Sequence, residues 1–274
     1  MNNELQPIGV FDSGIGGLSA LRHMMDVMPD RRFVYLGDTA RVPYGNKSAD
    51  TVTTYARQCA SFLLSHNVCM IVVACNTASA VALDVLTHEV TVPVVGVIDP
   101  AAAQAAFVTK NGRIGVIGTR ATIGSGAYEV AIVRHAAGRN VQITSQPCPL
   151  FVPLVEEGWL DHPATELIAR EYLRPLQDAG VDTLVLGCTH YPLLKPLLAR
   201  LMPGVTLVDS GECAAHTACS LMTSSSIQSD LGERLTVYLT DGAPQFRPMA
   251  EVFLGRTVAT PSIVSLDTHT TLGT

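Results

Sequence analysis

The sequence predicts an α/β fold of two similar doubly wound parallel-sheet domains, with a functional site in the cleft between them. Short apolar segments typical of buried strands alternate with helical segments from residue 8 to residue 209, which is the pattern of parallel βαβ units. Two of these strands, Met70–Ala74 and Thr183–Gly187, end beside a cysteine, Cys75 and Cys188. A chain of 274 residues is also long enough for two domains.

The first half of the chain alternates strand and helix in a regular order. A glycine-rich turn follows the first strand, and Ser48 offers a hydroxyl N-cap to the longest helix. A helix of small residues is predicted after Cys75. The other predicted elements are strand 8–11, helix 18–28, strand 33–36, helix 49–66, strand 70–74 and strand 92–98.

The second half looks like an imperfect repeat of the first, because each half has a strand with a small polar tip and a later strand ending in a cysteine. A hinge is predicted at Asp99-Pro100. The elements that follow are helix 101–108, strand 113–117, strand 141–145, helix 165–179, strand 183–187 and strand 205–208.

The tail, residues 210–274, carries a helix, a polar loop at 223–230, a strand near 235–239 and a helix near 244–254. Because a segment of this length is too short for a stable domain of its own, we expect it to return to the first one. The predicted domains are therefore 1–98 plus 210–274, and 99–209.

Composition excludes several classes of protein. A net charge of −6 with 18 Lys and Arg argues against nucleic-acid binding. No uninterrupted run of about 20 apolar residues predicts a membrane span, and no basic segment followed by an apolar one predicts a signal peptide. The seven cysteines include no C-x-x-C pair, so we expect reduced thiols and a cytoplasmic location.

Cys75 and Cys188 are the strongest candidates for chemistry. Each precedes a predicted helix N-terminus, where the helix dipole stabilises a thiolate. One thiolate could remove a proton from a substrate carbon while the other thiol protonates the opposite face. The alternative role of a free cysteine, a small buried hydrophobe, better suits Cys59, Cys69, Cys148 and Cys219.

Other uses of these thiols remain open. His190 lies two residues after Cys188, so a Cys–His nucleophile of an amidase or esterase is a competing interpretation that leaves Cys75 unused. A redox pair is a third interpretation. A two-lobed amino-acid sensor without catalysis is a fourth.

The loop after the first strand contains Gly14-x-Gly16, and Asp38 stands where a ribose-binding acid would fall, as in a dinucleotide fold. Ser19 occupies the third glycine position, and Asp12 would repel a pyrophosphate at the helix N-terminus. A turn that merely requires glycine is equally compatible with the pattern. If functional, the loop better suits an ammonium group or a proton-handling carboxylate.

Neither a metal nor a cofactor is predicted. Cys188-x-His190 supplies only two ligands. Cys213, His216 and Cys219 are spaced three residues apart, so the outer pair lies about 240° apart on a helix and cannot converge. The three lysines lie outside any recognisable pyridoxal-phosphate context.

Six segments together make the chain resemble the glutamate racemases, a family of cofactor-independent amino-acid racemases. They are F-D-S-G-x-G-G at 11–17, G-D-T-x-R-x-P-Y-G at 37–45, A-C-N-T-A at 74–78, G-T at 118–119, P-L-V-E-x-G at 153–158 and G-C-T-H-Y-P at 187–192. They occur in order and at family spacing between about residues 8 and 211. The last 60 or so residues match only in general character.

The resemblance implies an isomerase that interconverts L- and D-glutamate, without pyridoxal phosphate or metal, and supplies D-glutamate for peptidoglycan. It implies a homodimer with the active site in the interdomain cleft. Cys75 and Cys188 would be the two bases, with Asp12 assisting the first. His190 and Glu156 would assist the second, Glu157 being the adjacent alternative. The implied substrate contacts are Asp12, Ser13, Tyr44, Gly45, Asn76, Thr77, Thr119, Thr122, Thr189 and His190.

An aspartate racemase is the alternative within the same fold. The segment G-C-T-H at 187–190 favours glutamate, because aspartate relatives tend to carry a glutamate after the threonine. With about seven residues before the first predicted strand, the activator-linked N-terminal extension of some relatives is not expected.

Overall fold

The computed structural model describes residues 6–222, 234–242 and 246–267 of the chain. Within these ranges, two parallel sheets are flanked by helices, which confirms the predicted α/β class. Over the same ranges, no helix combines the length and apolar character needed to cross a bilayer. The polar loop predicted at 223–230 lies outside the described residues.

The first sheet has six described strands, which are β1 (Ile8–Asp12), β2 (Phe33–Gly37), β3 (Met70–Val73), β4 (Val94–Gly96), β9 (Leu235–Leu239) and β10 (Ser262–Ile263). Their order across the sheet is β10-β9-β2-β1-β3-β4, and all of the pairings are parallel. The central strands β1, β2 and β3 are buried along their whole length, as expected when helices cover both faces of a sheet.

The strands of the second sheet are β5 (Arg113–Gly118), β6 (Gln142–Pro147), β7 (Thr183–Gly187) and β8 (Thr206–Asp209). They lie in the order β6-β5-β7-β8 and are also parallel. This order repeats β2-β1-β3-β4 of the first sheet. In both sheets the strand that leads to a cysteine lies beside the first strand, at the point where the strand order reverses. Such a reversal opens a crevice at the carboxyl ends of the strands.

The helices are α1 (Leu18–Val27), α2 (Ala49–Ser65), α3 (Asn76–Glu89), α4 (Ile98–Val108), α5 (Arg120–Gly124), α6 (Ala127–Ala136), α7 (Phe151–Glu156), α8 (Pro163–Asp178), α9 (Lys195–Leu201), α10 (Ser210–Leu221) and α11 (Phe246–Leu254). The backbone N–H of Thr51 donates to Ser48 Oγ over 3.3 Å, so α2 has the predicted N-cap. Short 3-10 turns occur at Thr39–Arg41, Tyr44–Asn46 and Tyr191–Leu194.

The expectation of a hinge loop at Asp99-Pro100 is wrong, because both residues belong to the first turn of α4. A proline is tolerated there, since the first N–H groups of a helix have no intrahelical acceptor. The preceding strand is accordingly shorter than predicted and covers only Val94–Gly96.

The tail adds strands to the first sheet. β9 pairs with β2 in parallel from Leu235 to Leu239, and β10 pairs with β9. α10 packs against both α1 and α4, and α4 also packs against α6. Apolar side chains from both sheets therefore join in one continuous core. The exact domain boundaries at 98/99 and 209/210 remain predictions.

Candidate active site

A pocket of about 360 Å³ lies where the carboxyl ends of β1 and β3 face those of β5 and β7. Both cysteines reach it, one from each sheet. The predicted site residues that line the pocket are Ser13, Tyr44, Gly45, Cys75, Asn76, Thr77, Thr119, Glu156, Cys188, Thr189 and His190. Asp12 and Thr122 are buried next to lining residues and do not themselves line the pocket.

Cys75 follows β3 and is the N-cap residue of α3. Its Sγ accepts from the backbone N–H of Ala78 over 3.4 Å. Burial, followed by the neighbouring carboxylate of Asp12, raises the pKa of Cys75 to about 12, although the Ala78 N–H and the Ser13 side chain oppose the shift. Cys75 is therefore a thiol near neutral pH, which is the form that can deliver a proton.

Asp12 ends β1 and is only 1 % exposed. Its Oδ2 accepts from the backbone N–H of Gly14 over 3.1 Å, while the buried Oδ1 has no hydrogen-bond partner in the described part of the chain. Burial raises the pKa of Asp12, against the opposing charge of His190. A carboxyl group with a free oxygen and a raised pKa is suited to holding or passing a proton beside Cys75.

Cys188 follows β7 and lies in a row with His190 and Glu156. Cys188 Sγ is 4.0 Å from His190 Nδ1, and His190 Nε2 is 3.0 Å from Glu156 Oε1. Both glutamates are exposed, but Glu156 contacts His190, whereas Glu157 lies at the C-cap of α7. The structure thus distinguishes the two adjacent glutamates by their position.

Burial alone would lower the pKa of His190. The hydrogen bonds with Cys188 and Glu156, together with their negative charges, outweigh burial and raise this pKa to about 10. His190 thus places a positive charge beside Cys188, whereas the carboxyl group of Asp12 lies beside Cys75. The two thiols therefore lie in unlike environments, as proton removal on one side and proton delivery on the other require.

Three threonine hydroxyls meet between the two sheets. Thr77 Oγ1 is 3.1 Å from Thr119 Oγ1 and 3.2 Å from Thr122 Oγ1, and the last two are 3.0 Å apart. Thr119 also caps α5 by accepting from the Thr122 N–H. Thr122 is fully buried and contacts the two hydroxyls that line the pocket, so it orients them rather than offering a surface of its own.

Two predicted binding side chains have polar ends that already bind other parts of the protein. The Tyr44 hydroxyl donates to Asp38. The Asn76 amide donates to Ser210 Oγ over 3.2 Å and accepts from the Tyr128 hydroxyl over 2.6 Å. Tyr44 and Asn76 can offer a ligand their backbone groups, and the Asn76 amide has one further N–H group beyond these two bonds.

Sequence reasoning missed several lining residues, and Arg120 is the one with a charge. It is the first residue of α5, directly after the strand tip at Thr119. That position in the sequence could have identified it as a residue that lines the pocket. Pro153 and Val152 lie three and four residues before Glu156 on α7, a spacing that places side chains on one helix face. The missed lining residues are Gly14, Val42, Pro43, Asn46, Arg120, Pro149, Val152 and Pro153.

A separate group of His23, Asp209 and Glu212 has metal-ligand chemistry, with its ligand atoms within 4.8 Å of one another. Lys195 Nζ already lies 2.8 Å from Asp209 Oδ2 and supplies the positive charge. This group does not line the pocket.

Cys213 and Cys219 both lie on α10, where Cys219 Sγ contacts the Val27 carbonyl at 3.8 Å. The absence of a metal or cofactor from the reaction stays a prediction.

His190 gives a testable pH dependence of stability. Because its pKa rises from the ordinary 6.5 to about 10, its contribution to stability is fully present below pH 6.5 and declines as the pH rises towards 10. In wild type we expect this contribution to fall by up to about 1.4 kcal/mol per pH unit, and in His190→Gln we expect that decline to be absent. Urea unfolding between about pH 6.5 and 7.5 measures it, about one unit below the pKa near 8.5 at which free thiols ionise. Equal slopes in the two proteins would contradict the assignment.

Comparisons with known proteins agree with this geometry. The family model described as Asp/Glu/hydantoin racemase matches residues 19–218. The glutamate racemase of Syntrophus aciditrophicus (strain SB) is 48 % identical over 258 residues, covering 93 % of this chain and 95 % of that protein. The crystal structure of glutamate racemase from Francisella tularensis in complex with D-glutamate matches with a TM-score of 0.88 at 38 % identity, over 97 % of this chain and 99 % of that one. The aspartate racemase of Picrophilus torridus, at 18 % identity and a TM-score of 0.55, shares the fold alone.

Proposed function

Because the chain belongs to the Asp/Glu/hydantoin racemase family, we propose that it is a glutamate racemase that interconverts L- and D-glutamate with two cysteine bases. The observation that carries the proposal is the pair of thiols, one from each sheet, at a single pocket and in unlike electrostatic environments. The names of the relatives support glutamate as the substrate.

In the proposed reaction, a thiolate takes the α-proton of glutamate, and the electron pair of the broken C–H bond moves into the α-carboxylate. The opposite thiol then gives its proton to the other face of the same carbon and becomes the new thiolate. The reverse direction exchanges the two roles. His190 with Glu156 handles charge beside Cys188, and Asp12 does so beside Cys75.

The proposed site must stabilise the charge that develops on the α-carboxylate. The hydroxyls of Ser13, Thr77, Thr119 and Thr189 are suited to bind carboxylates, as are the first backbone N–H groups of α3. Tyr44, Gly45 and Asn76 contribute backbone groups in this proposal, and Thr122 acts through Thr77 and Thr119. Closure of the cleft would exclude water.

One observation favours a second candidate function. Cys188, His190 and Glu156 have the order and spacing of a nucleophile, a base and an orienting acid. A cysteine amidase or esterase would use this row through an acyl-enzyme at Cys188. It would retain near-normal activity after Cys75→Ala, whereas a two-base racemase would not.

The test of the proposed function is solvent exchange. Purified protein is incubated with L-glutamate in D2O without pyridoxal phosphate, while circular dichroism and the α-proton signal are recorded. Loss of both signals supports a racemase that needs no added cofactor, and a parallel reaction with L-aspartate tests the substrate. Unchanged signals with both acids reject the proposal. Trapping of an acyl-enzyme would then support the amidase, and glutamate binding without exchange would support a sensor.

Arg120 gives a prediction about substrate binding. It is exposed at the pocket, and in the described part of the chain it is the single Lys or Arg that lines it. Arg120→Gln is expected to raise the KM for glutamate about threefold to fivefold at low salt, with little change in kcat. The effect is small because solvent and salt screen an exposed charge. Arg120→Lys is the matched control and should retain the wild-type KM. A KM that does not depend on salt in wild type would contradict this role.

We further propose a homodimer, a cytoplasmic location and supply of D-glutamate for peptidoglycan. Light scattering of the purified protein tests the dimer. Depletion of the gene product tests the supply, because growth should then depend on added D-glutamate. Fractionation of the native cells tests the location.

A further inference from the structure

We propose that Tyr128, Asn76 and Ser210 form a clamp that sets the separation of the two thiols, so that Tyr128 and Ser210 are positioning residues for proton transfer. The proposal rests on the proposed function. We define the clamp as these three side chains together with the carbonyl group of Leu186, which accepts its last hydrogen bond.

The clamp is one continuous chain of hydrogen bonds. The Tyr128 hydroxyl donates to Asn76 Oδ1 over 2.6 Å, Asn76 Nδ2 donates to Ser210 Oγ over 3.2 Å, and Ser210 Oγ donates to the Leu186 carbonyl over 3.0 Å. Each donor has one acceptor in this row. The three side chains are 0 %, 3 % and 1 % exposed, so water does not compete for these bonds.

The two ends of the clamp lie next to the two thiols. Asn76 directly follows Cys75 and starts α3, while Leu186 lies in β7, two residues before Cys188. The clamp therefore joins the cysteine-bearing strand end of the first sheet to that of the second sheet. No backbone pairing joins these two sheets in the described residues.

The Tyr128 ring also restricts movement sterically, because it packs beside Gly187 and the adjacent Cys188. A Cβ atom at Gly187, the residue before Cys188, would lie 2.9 Å from Tyr128 Cε2. The ring thus fills the space beside this segment while its hydroxyl holds Asn76. A shift of α3 relative to β7 would break a hydrogen bond or press on the ring.

The clamp uses Asn76 Oδ1 and one of the two N–H groups on Nδ2, so it fixes the orientation of the amide at the start of α3. Proton transfer depends steeply on the distance from each sulfur to the α-carbon. A misplacement of about 1 Å can lower a rate about 10²-fold. The hydroxyls and backbone groups that line the pocket are unchanged by loss of the clamp, so substrate binding should be affected much less than proton transfer.

The test uses Tyr128→Phe, Ser210→Ala and the double variant. Each single variant is expected to lower kcat about tenfold or more, with KM within about twofold of wild type. The double variant should lose less than the product of the single effects, because both act through one amide. Thr165→Val is the matched control: it removes a buried hydroxyl that donates to the Trp159 carbonyl over 2.6 Å, away from the pocket, and should keep the wild-type kcat.

The isotope effect separates positioning from partial unfolding. With α-deuterated glutamate, slower proton transfer should raise the primary isotope effect on kcat in the clamp variants. A smaller folded fraction would scale kcat and leave the isotope effect unchanged. An unchanged isotope effect, or a wild-type kcat in both single variants, would overturn the proposal.

A measurement without turnover distinguishes failure of the clamp from failure of the proposed function. Bifunctional thiol reagents of graded length are applied, and mass spectrometry of the peptides gives the yield of Cys75–Cys188 cross-links. Wild type should favour one length, and the clamp variants should spread over several. The same favoured length in all variants would reject the clamp, even if the wild-type protein does not racemise glutamate.

Discussion

Cys75→Ala and Cys188→Ala are each expected to lower racemisation at least about 10³-fold while leaving α-proton exchange of one enantiomer. An essential acid–base group contributes about 10²–10⁴-fold, and inversion requires both groups. The remaining thiol can still remove a proton from the face it meets and return a solvent deuteron to that same face. Exchange without inversion is therefore the expected residual activity.

The measurement starts from each pure enantiomer in D2O. One variant should exchange L-glutamate only, and the other D-glutamate only. Cys69→Ala is the control, since this buried cysteine lies just before β3, at the opposite end of that strand from Cys75. It should racemise like wild type. A Cys75→Ala variant that racemises at a tenth of the wild-type rate or faster would exclude the two-thiol mechanism.

The sequence predicted those parts of the fold whose signals are local. The buried strand before Cys75, the Ser48 N-cap of α2 and the strand Thr183–Gly187 all depend on neighbouring residues, and the structure has each of them. Asp99-Pro100 shows the limit of such signals. A turn dipeptide in sequence becomes the first turn of a helix when packing of α4 between α6 and α10 favours it.

Contacts between the two halves could not be read from the sequence. Asn76 and Tyr128 are 52 residues apart, and Asn76 and Ser210 are 134 apart. No periodicity connects such positions, because the crossing of two sheets decides which side chains meet. Which of Glu156 and Glu157 contacts His190 likewise depends on the direction in which α7 ends, and in the structure Glu156 makes this contact.

Side-chain orientation explains why the motifs and the lining of the pocket do not agree fully. Tyr44 and Asn76 belong to the resemblance motifs and line the pocket, yet their polar ends bind Asp38 and the clamp. A motif gives the position of a residue but does not say which of its atoms faces the ligand. Arg120 is the converse case, since it lines the pocket and lies outside every residue that the motifs specify.

Gly16→Ala is expected to lower kcat about 10²-fold through a contact between the two halves. A Cβ atom at this position would lie 2.4 Å from Thr189 Oγ1 and 2.6 Å from His190 Nδ1. Contacts this short must be relieved by moving His190 or by separating the two sheets. Ser19 resists the separation, because its hydroxyl donates to the Thr189 carbonyl over 2.8 Å. His190 should therefore lose its alignment between Cys188 and Glu156.

The matched control is Gly124→Ala, because a Cβ atom there would meet nothing within 4 Å. It should keep kcat within twofold of wild type. Nitrogen NMR of the imidazole reports the cause: loss of alignment should lower the pKa of His190 in Gly16→Ala, since burial then acts without its two compensating partners. A Gly16→Ala protein with wild-type kcat and an unchanged imidazole titration would mean that the glycine turn and His190 have more room than the structure gives them. The proposed alignment of His190 with Cys188 would then be wrong.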